Sequence, residues 1–184
     1  MSVEEMITSA DTTGTLDGER ADILEMLVRH REFLRMTVRD ITDEQARLRP
    51  TVSELSLGGL IKHVASVETA WVDFILQGPS ALGDFENMTE ADWEKRAADF
   101  QMLPDETLAG LLEAYDRVAA RTDGLVATLP DLDASHPLPK APWFEGDRSW
   151  SARRALLHIV AETSQHAGHA DIIRETLDGA KTMG

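Results

Sequence analysis

The sequence predicts an all-α protein, a bundle of four long amphipathic helices. Three observations carry this. Four stretches repeat apolar residues every three to four positions, the period of a helix with one buried face. Aromatic residues are only 5% of the chain, whereas Ala and Leu are plentiful, a balance that favours helices over sheets. The segments between the four stretches are dense in Pro, Gly and capping residues, which end helices.

In chain order, residues 1–16 are polar, with Thr12, Thr13, Gly14 and Thr15 close together, and read as a flexible leader. Residues 17–184 then form a single domain, a size that buries a sizeable core without staples. The first helix is expected from about Asp17 to Asp40, with Leu24, Leu27, Leu34, Val38 and Ile41 as its stripe. Thr42-Asp43-Glu44-Gln45 has the pattern of a capping box, so a short helical turn follows, ended by Arg49-Pro50. The second long helix starts after the N-cap Ser56, carries Leu57, Leu60, Ile61, Val64, Val67, Trp71, Phe74 and Ile75, and stops at Gly78-Pro79. Gly58-Gly59 in its first turn costs about 1 kcal/mol per Gly relative to Ala, which points to a close backbone approach there. A long connection over 78–103 contains a short helix starting near Thr89. The third helix follows Pro104, with Leu108, Leu111, Leu112, Tyr115, Val118, Ala119, Leu125, Val126 and Leu129 on one face. A second long connection, 130–150, holds Pro130, Pro137, Pro139 and Pro142, too many for a helix. Ser151 caps the fourth helix, which runs to about Asp178 and ends at Gly179. The long connections, between helices 2 and 3 and between helices 3 and 4, permit crossovers without fixing the topology.

With 18 Lys and Arg against 33 Asp and Glu, the formal net charge is −15. That sign opposes phosphate backbones and anionic membrane faces, so neither nucleic acid nor membrane is an expected partner. No Cys is present, which excludes disulfides, thiolate zinc sites and a cysteine nucleophile. No secretory signal and no bilayer-length apolar run are visible, so the expected location is the cytoplasm. A P-loop, a dinucleotide fingerprint, the zincin motif and a serine elbow are all missing.

Chemistry is concentrated in the fourth helix, which holds His158, Glu162, His166 and His169 out of six His in the chain. With His158 at zero on a helical wheel, His169 lies near ~20°, Glu162 near ~40° and His166 near ~80°, against an apolar stripe centred near ~130°. All four share a face, and His166 points most nearly inward. Glu162 and His166, four apart, can share an ion, and both are ordinary ligands for a borderline divalent metal. A third ligand must come from another helix. His63, at the edge of the second helix's buried stripe, is the best donor, with His30 on the first helix also near its stripe. Tyr115 and Arg174 read as a core tyrosine and as a salt-bridging arginine, and Trp143, Phe144 and Trp150 can line a pocket or cover the bundle end.

The pattern Leu60-x-x-His63-Val64-Ala65-x-x-Glu68, together with His158-x-x-x-Glu162-x-x-x-His166-Ala-Gly168-His169-Ala-Asp171-Ile-x-Arg174-Glu175, resembles the DinB-like superfamily over residues 20 to 179. It is closest to the actinobacterial branch that includes mycothiol-dependent S-transferases and the N-terminal-type domain of maleylpyruvate isomerases. The resemblance implies a DinB-like four-helix bundle and, by position, a metal set of His63, Glu162 and His166, with His158 and His169 structural or behind the ligands. It implies a divalent metal, zinc above others, and a low-molecular-weight thiol as cosubstrate. The expected activity is S-transfer of a mycothiol-type thiol to a small electrophile through a metal-bound thiolate. Isomerases of this branch usually carry a further C-terminal domain and this sequence stops at Gly184, so a transferase is expected. A hydrolase using metal-bound water, and a non-catalytic metal- or ligand-binding bundle, are the other readings. The electrophile and the native metal are not legible, and oligomeric state stays open, a homodimer being one form it can take.

Overall fold

A computed structural model describes residues 16–144 and 147–182. The expected leader therefore lies outside the described residues, except for Leu16. Six α-helices form: α1 (Gly18–Met36), α2 (Asp43–Arg47), α3 (Leu57–Gln77), α4 (Glu90–Ala98), α5 (Leu108–Thr128) and α6 (Ala152–Asp178). The four long ones, α1, α3, α5 and α6, make the expected four-helix bundle.

Local chemistry sets most boundaries. Asp17, Ser56, Thr107 and Ser151 each cap a long helix by accepting a backbone N–H in its first turn. Thr42 and Gln45 form the reciprocal capping box of α2, and Thr89 with Asp92 forms another at α4. Gly179, in the left-handed region at φ 79°, ends α6.

Three elements differ from expectation. α1 stops at Met36 rather than Asp40, because residues 37–40 form turns and Asp40 takes a positive φ of 60°. α5 starts at Leu108 rather than after Pro104. Thr107 supplies the cap, while Glu106 holds the preceding turn by accepting the Leu103 N–H at 2.7 Å. Within the second connection, β1 (Ser135–Pro137) and β2 (Ser149–Ser151) pair antiparallel, with His136 opposite Trp150. Periodicity cannot announce strands of three residues.

Side-chain contacts give the directions. Arg153 near the start of α6 bonds Glu19 near the start of α1, and Arg174 near its end bonds the carbonyls of Thr37 and Arg39 just past α1. α1 and α6 therefore run parallel. Arg20 donates to the carbonyls of Val126 and Leu129 at the far end of α5, so α1 and α5 run opposite. α3 pairs with α5 through Lys62–Glu106 early and Asp73–Arg121 late, hence in parallel. Parallel neighbours need a connection that returns along the bundle, and residues 78–107, containing α4, supply it.

Two apolar clusters fill the interior. One gathers Leu27, Trp71, Phe74, Val126, Leu156 and Ile159; the other gathers Leu34, Leu57, Leu60, Val64, Tyr115 and Ala170. Between them lies a polar layer. Arg31 falls between Leu27 and Leu34 on α1, Glu68 between Val64 and Trp71 on α3, and Thr163 between Ile159 and Ala170 on α6, all buried. Among the described residues, no helix is long and apolar enough to cross a membrane.

Candidate metal centre

The site is built where α3 and α6 cross beside this polar layer. His63 from α3 and Glu162 and His166 from α6 each offer one ligand atom, and these atoms all lie within 4.8 Å of one another. The i,i+4 spacing does what the helical wheel predicts: His166 Nε2 is 3.5 Å from Glu162 Oε2. The His63 ring meets His166 edge to face at 4.8 Å between centroids. His30, the other sequence candidate, packs against Phe33 and is not part of the converging set.

Neighbours hold each of the three in place. Phe100 stacks on His63 with ring centroids 3.7 Å apart. Gly59 makes this possible: a Cβ there would meet the Phe100 carbonyl oxygen at 2.0 Å, and one at Gly58 would meet the Met102 sulfur at 2.5 Å. The Gly58-Gly59 pair is thus a seat for residues 100–102, the close approach its sequence cost implied. His169 Nδ1 lies 3.4 Å from His166 Nδ1, leaving Nε2 of His166 to face the carboxylate. On the other side, His158 Nε2 is 3.5 Å from Glu162 Oε1, and its ring meets the stacked pair Trp71 and Trp150 edge to face.

The electrostatics favour the forms that ligate. Burial, with the nearby His166 and despite Glu162, pushes His63 down to about 4, so its imidazole is neutral at pH 7. His166, whose Nε2 lies 3.5 Å away, holds the Glu162 carboxyl below its ordinary range against the opposing effect of burial, so it is ionised at pH 7. Burial lowers His158 also. A neutral imidazole and a carboxylate are what a divalent cation needs from its ligands.

An aromatic recess opens from these residues. A cavity of about 120 Å³ is lined by His63, Val67, Trp71, Phe85, Arg96 and Phe144, among others. A broader space of about 460 Å³ shares His63, Trp71, Arg96 and Phe144 and adds Trp150, His158 and Glu162. Trp143, Phe144 and Trp150 therefore line a pocket, one of the two roles open to them from sequence. Sequence reading missed Phe100 and Arg96, which reach the site from α4 and the turn after it. Neither falls on a helical face with His63, so no spacing rule could have found them.

Two further residues have structural roles. Arg174 binds Asp178 at 2.8 Å and the carbonyls beyond α1, a salt bridge as expected. Tyr115 is buried in the second apolar cluster; its hydroxyl makes no hydrogen bond among the described residues, and burial raises its ionisation well above the ordinary tyrosine value.

Comparison with known proteins agrees with this architecture. A crystal structure described as the conserved protein of a locus from Enterococcus faecalis superposes with a TM-score of 0.63 at 16% identity, covering 87% of this chain and 97% of that one. At that identity the likeness is one of fold. No curated protein matches the sequence. The family described as mycothiol-S-transferase matches residues 22–179, which take in α3, α5 and α6, all but the first four residues of α1, and every residue of the converging set. The chain belongs to the mycothiol-S-transferase family.

Proposed function

We propose that this protein transfers the sulfur of a mycothiol-type thiol to a small electrophile, using a divalent cation held by His63, Glu162 and His166. The observation that carries the reading is the convergence of those three ligand atoms within 4.8 Å, from two helices, at the mouth of an aromatic recess. Two imidazoles and one carboxylate suit zinc and leave a coordination position for substrate. Family membership supplies the thiol: the chain has no Cys of its own, so the nucleophilic sulfur must arrive on a cosubstrate.

When bound, the cation acts as a Lewis acid that favours thiolate over thiol near neutral pH, where a free thiol of pKa about 8.5 is mostly protonated. The protein's residues do the rest. Phe100 and His169 fix the ring planes of His63 and His166, so little reorganisation accompanies binding. His158 steadies the second oxygen of Glu162. Trp71, Phe144 and Trp150 exclude water from the recess, which strengthens electrostatic interactions there and protects the nucleophile. The C–S bond forms as the electrophile's leaving group departs with its bonding pair, and the thiol proton passes to solvent.

The test is conjugation of mycothiol to a chromogenic electrophile by zinc-loaded protein. A rate above background that requires both thiol and metal is expected. Turnover without thiol would identify a hydrolase. Tight metal with no turnover across several electrophiles would leave a binding bundle.

A further inference from the structure

We infer that the electrophile is a planar aromatic molecule carrying an anionic group, most simply a carboxylate, which Arg96 recognises at the wall of the recess. This rests on the S-transferase reading and deepens it by naming the class of acceptor.

The first support is the shape and lining of the cavity. Trp71, Phe85, Trp143 and Phe144 present ring surfaces, with Leu82 and Val67 between them. A dry apolar cavity of about 150 Å³ holds a benzene-sized guest. Here about 120 Å³ opens beside a broader space of about 460 Å³. One aromatic ring fits, with room for substituents toward His63 and Glu162. Flat apolar rings pack well against such walls, in stacked or edge-to-face contact.

The second support is Arg96 itself. Its guanidinium lies 5.3 Å from the centroid of Phe85 and 5.5 Å from that of Trp143, so two aromatic rings hold it at the cavity wall. Among the described residues, no carboxylate pairs with it and no acceptor takes its N–H groups. Asp99, the acidic residue in the same lining, is engaged by the Ser66 hydroxyl at 3.4 Å. A guanidinium oriented by stacking, with its edge unspent beside an apolar slot, is built to take a planar anion two-pronged. Arg96 and His63 line the same cavity, which places the anion subsite next to the converging ligands.

Two probes of nearly the same shape test this: 4-chloro-3-nitrobenzoate and its uncharged carboxamide. Binding is read by quenching of tryptophan fluorescence without thiol, since three of the chain's four Trp line the recess. In unaltered protein the benzoate should bind tighter by on the order of tenfold to a hundredfold. Arg96→Gln should bring the two affinities together by weakening only the benzoate, and Arg96→Lys should keep part of the preference. Arg96 is exposed on α4 away from the core, and circular dichroism checks the fold of each variant. Equal affinities in unaltered protein overturn the inference whatever the variants do. So does an anion preference that survives Arg96→Gln but vanishes when metal is stripped, because the carboxylate would then sit on the cation. A loss in Arg96→Gln of mycothiol affinity instead of benzoate affinity also overturns it, by assigning Arg96 to the thiol. With mycothiol added, the C–S bond would form at the chlorine-bearing carbon, releasing chloride and a proton. Arg96-dependent binding without any such product would sink the S-transferase reading and leave the anion site standing, whereas conjugation of both probes with equal efficiency would do the reverse.

Discussion

Two charged clusters sit side by side in this bundle, and α3 contributes to both. One joins Arg31, Glu68, Thr122 and Asp123; the other joins His63, Glu162 and His166. In the first, every partner is satisfied. Arg31 donates to both oxygens of Glu68, at 3.2 and 2.5 Å, and to Asp123 at 2.8 Å, while Thr122 donates to Glu68 at 2.5 Å. Arg31 and Glu68 are 1% and 0% exposed. In the second, the carboxylate of Glu162 lies 3.5 Å from each neighbouring imidazole, longer than a good hydrogen bond, and the group faces a cavity. Saturation separates the two roles. A closed network spends its valences tying three helices together; an open one keeps them for a guest.

The contrast yields predictions that can break it. The largest effect should come from Glu162→Ala or His166→Ala. Conjugation should fall on the order of a thousandfold, as loss of a Lewis acid worth several kcal/mol implies. Elemental analysis should show metal lost while circular dichroism is unchanged. Glu68→Ala should do the opposite. It leaves Arg31 buried and unpaired, costing about 3–5 kcal/mol in denaturant unfolding, with metal stoichiometry intact. If Glu68→Ala strips the metal instead, the two clusters are one system.

A smaller change sharpens the comparison. Gly59→Ala forces a methyl into the Phe100 carbonyl, so about 1–3 kcal/mol of stability should be lost by overpacking. Metal affinity should fall too, because Phe100 can no longer stack on His63; denaturant unfolding reads the first effect and calorimetric zinc titration the second. The smallest effect is on pH. The unfolded chain protonates His63 at its ordinary value of 6.5 and the native state only near 4. The unfolded state therefore binds the proton more readily, and metal-free protein should lose stability as pH falls from 6.5 to 4. The full shift corresponds to about 3 kcal/mol, and partial solvation of the pocket reduces it to about 1–2 kcal/mol. Denaturant midpoints of the stripped protein across that range check the sign.

Sequence made the open cluster easier to see than the closed one. Glu162 and His166 share one helix, so spacing alone aligns them; His63 was offered by its place on the second helix's buried stripe and singled out over His30 by a resemblance. Arg31 and Glu68 lie on helices that meet only after folding, and a charged residue inside an apolar stripe looks like a solvated edge until its partner is known. Helix starts were legible wherever a side chain does the capping, as at Ser56 and Thr42. They were misjudged at Pro104, where a turn held by Glu106 intervenes before Thr107. Arg96 and Phe100 sit in a connection whose path depends on Gly59, and that dependence runs through backbone contact rather than periodicity.

The pairing of β1 with β2 has one more consequence. It pins the two ends of the segment carrying Trp143 and Phe144, and the Ala152 and Arg153 amides extend the pinning by donating to the carbonyls of Ala134 and Leu132. A stretch clasped at its base can change length or composition without dragging the long helices along, since closing a longer loop adds only about 0.6 kcal/mol per doubling. The aromatic wall of the recess is thereby insulated from the converging His63, Glu162 and His166, an interchangeable cassette on a fixed frame.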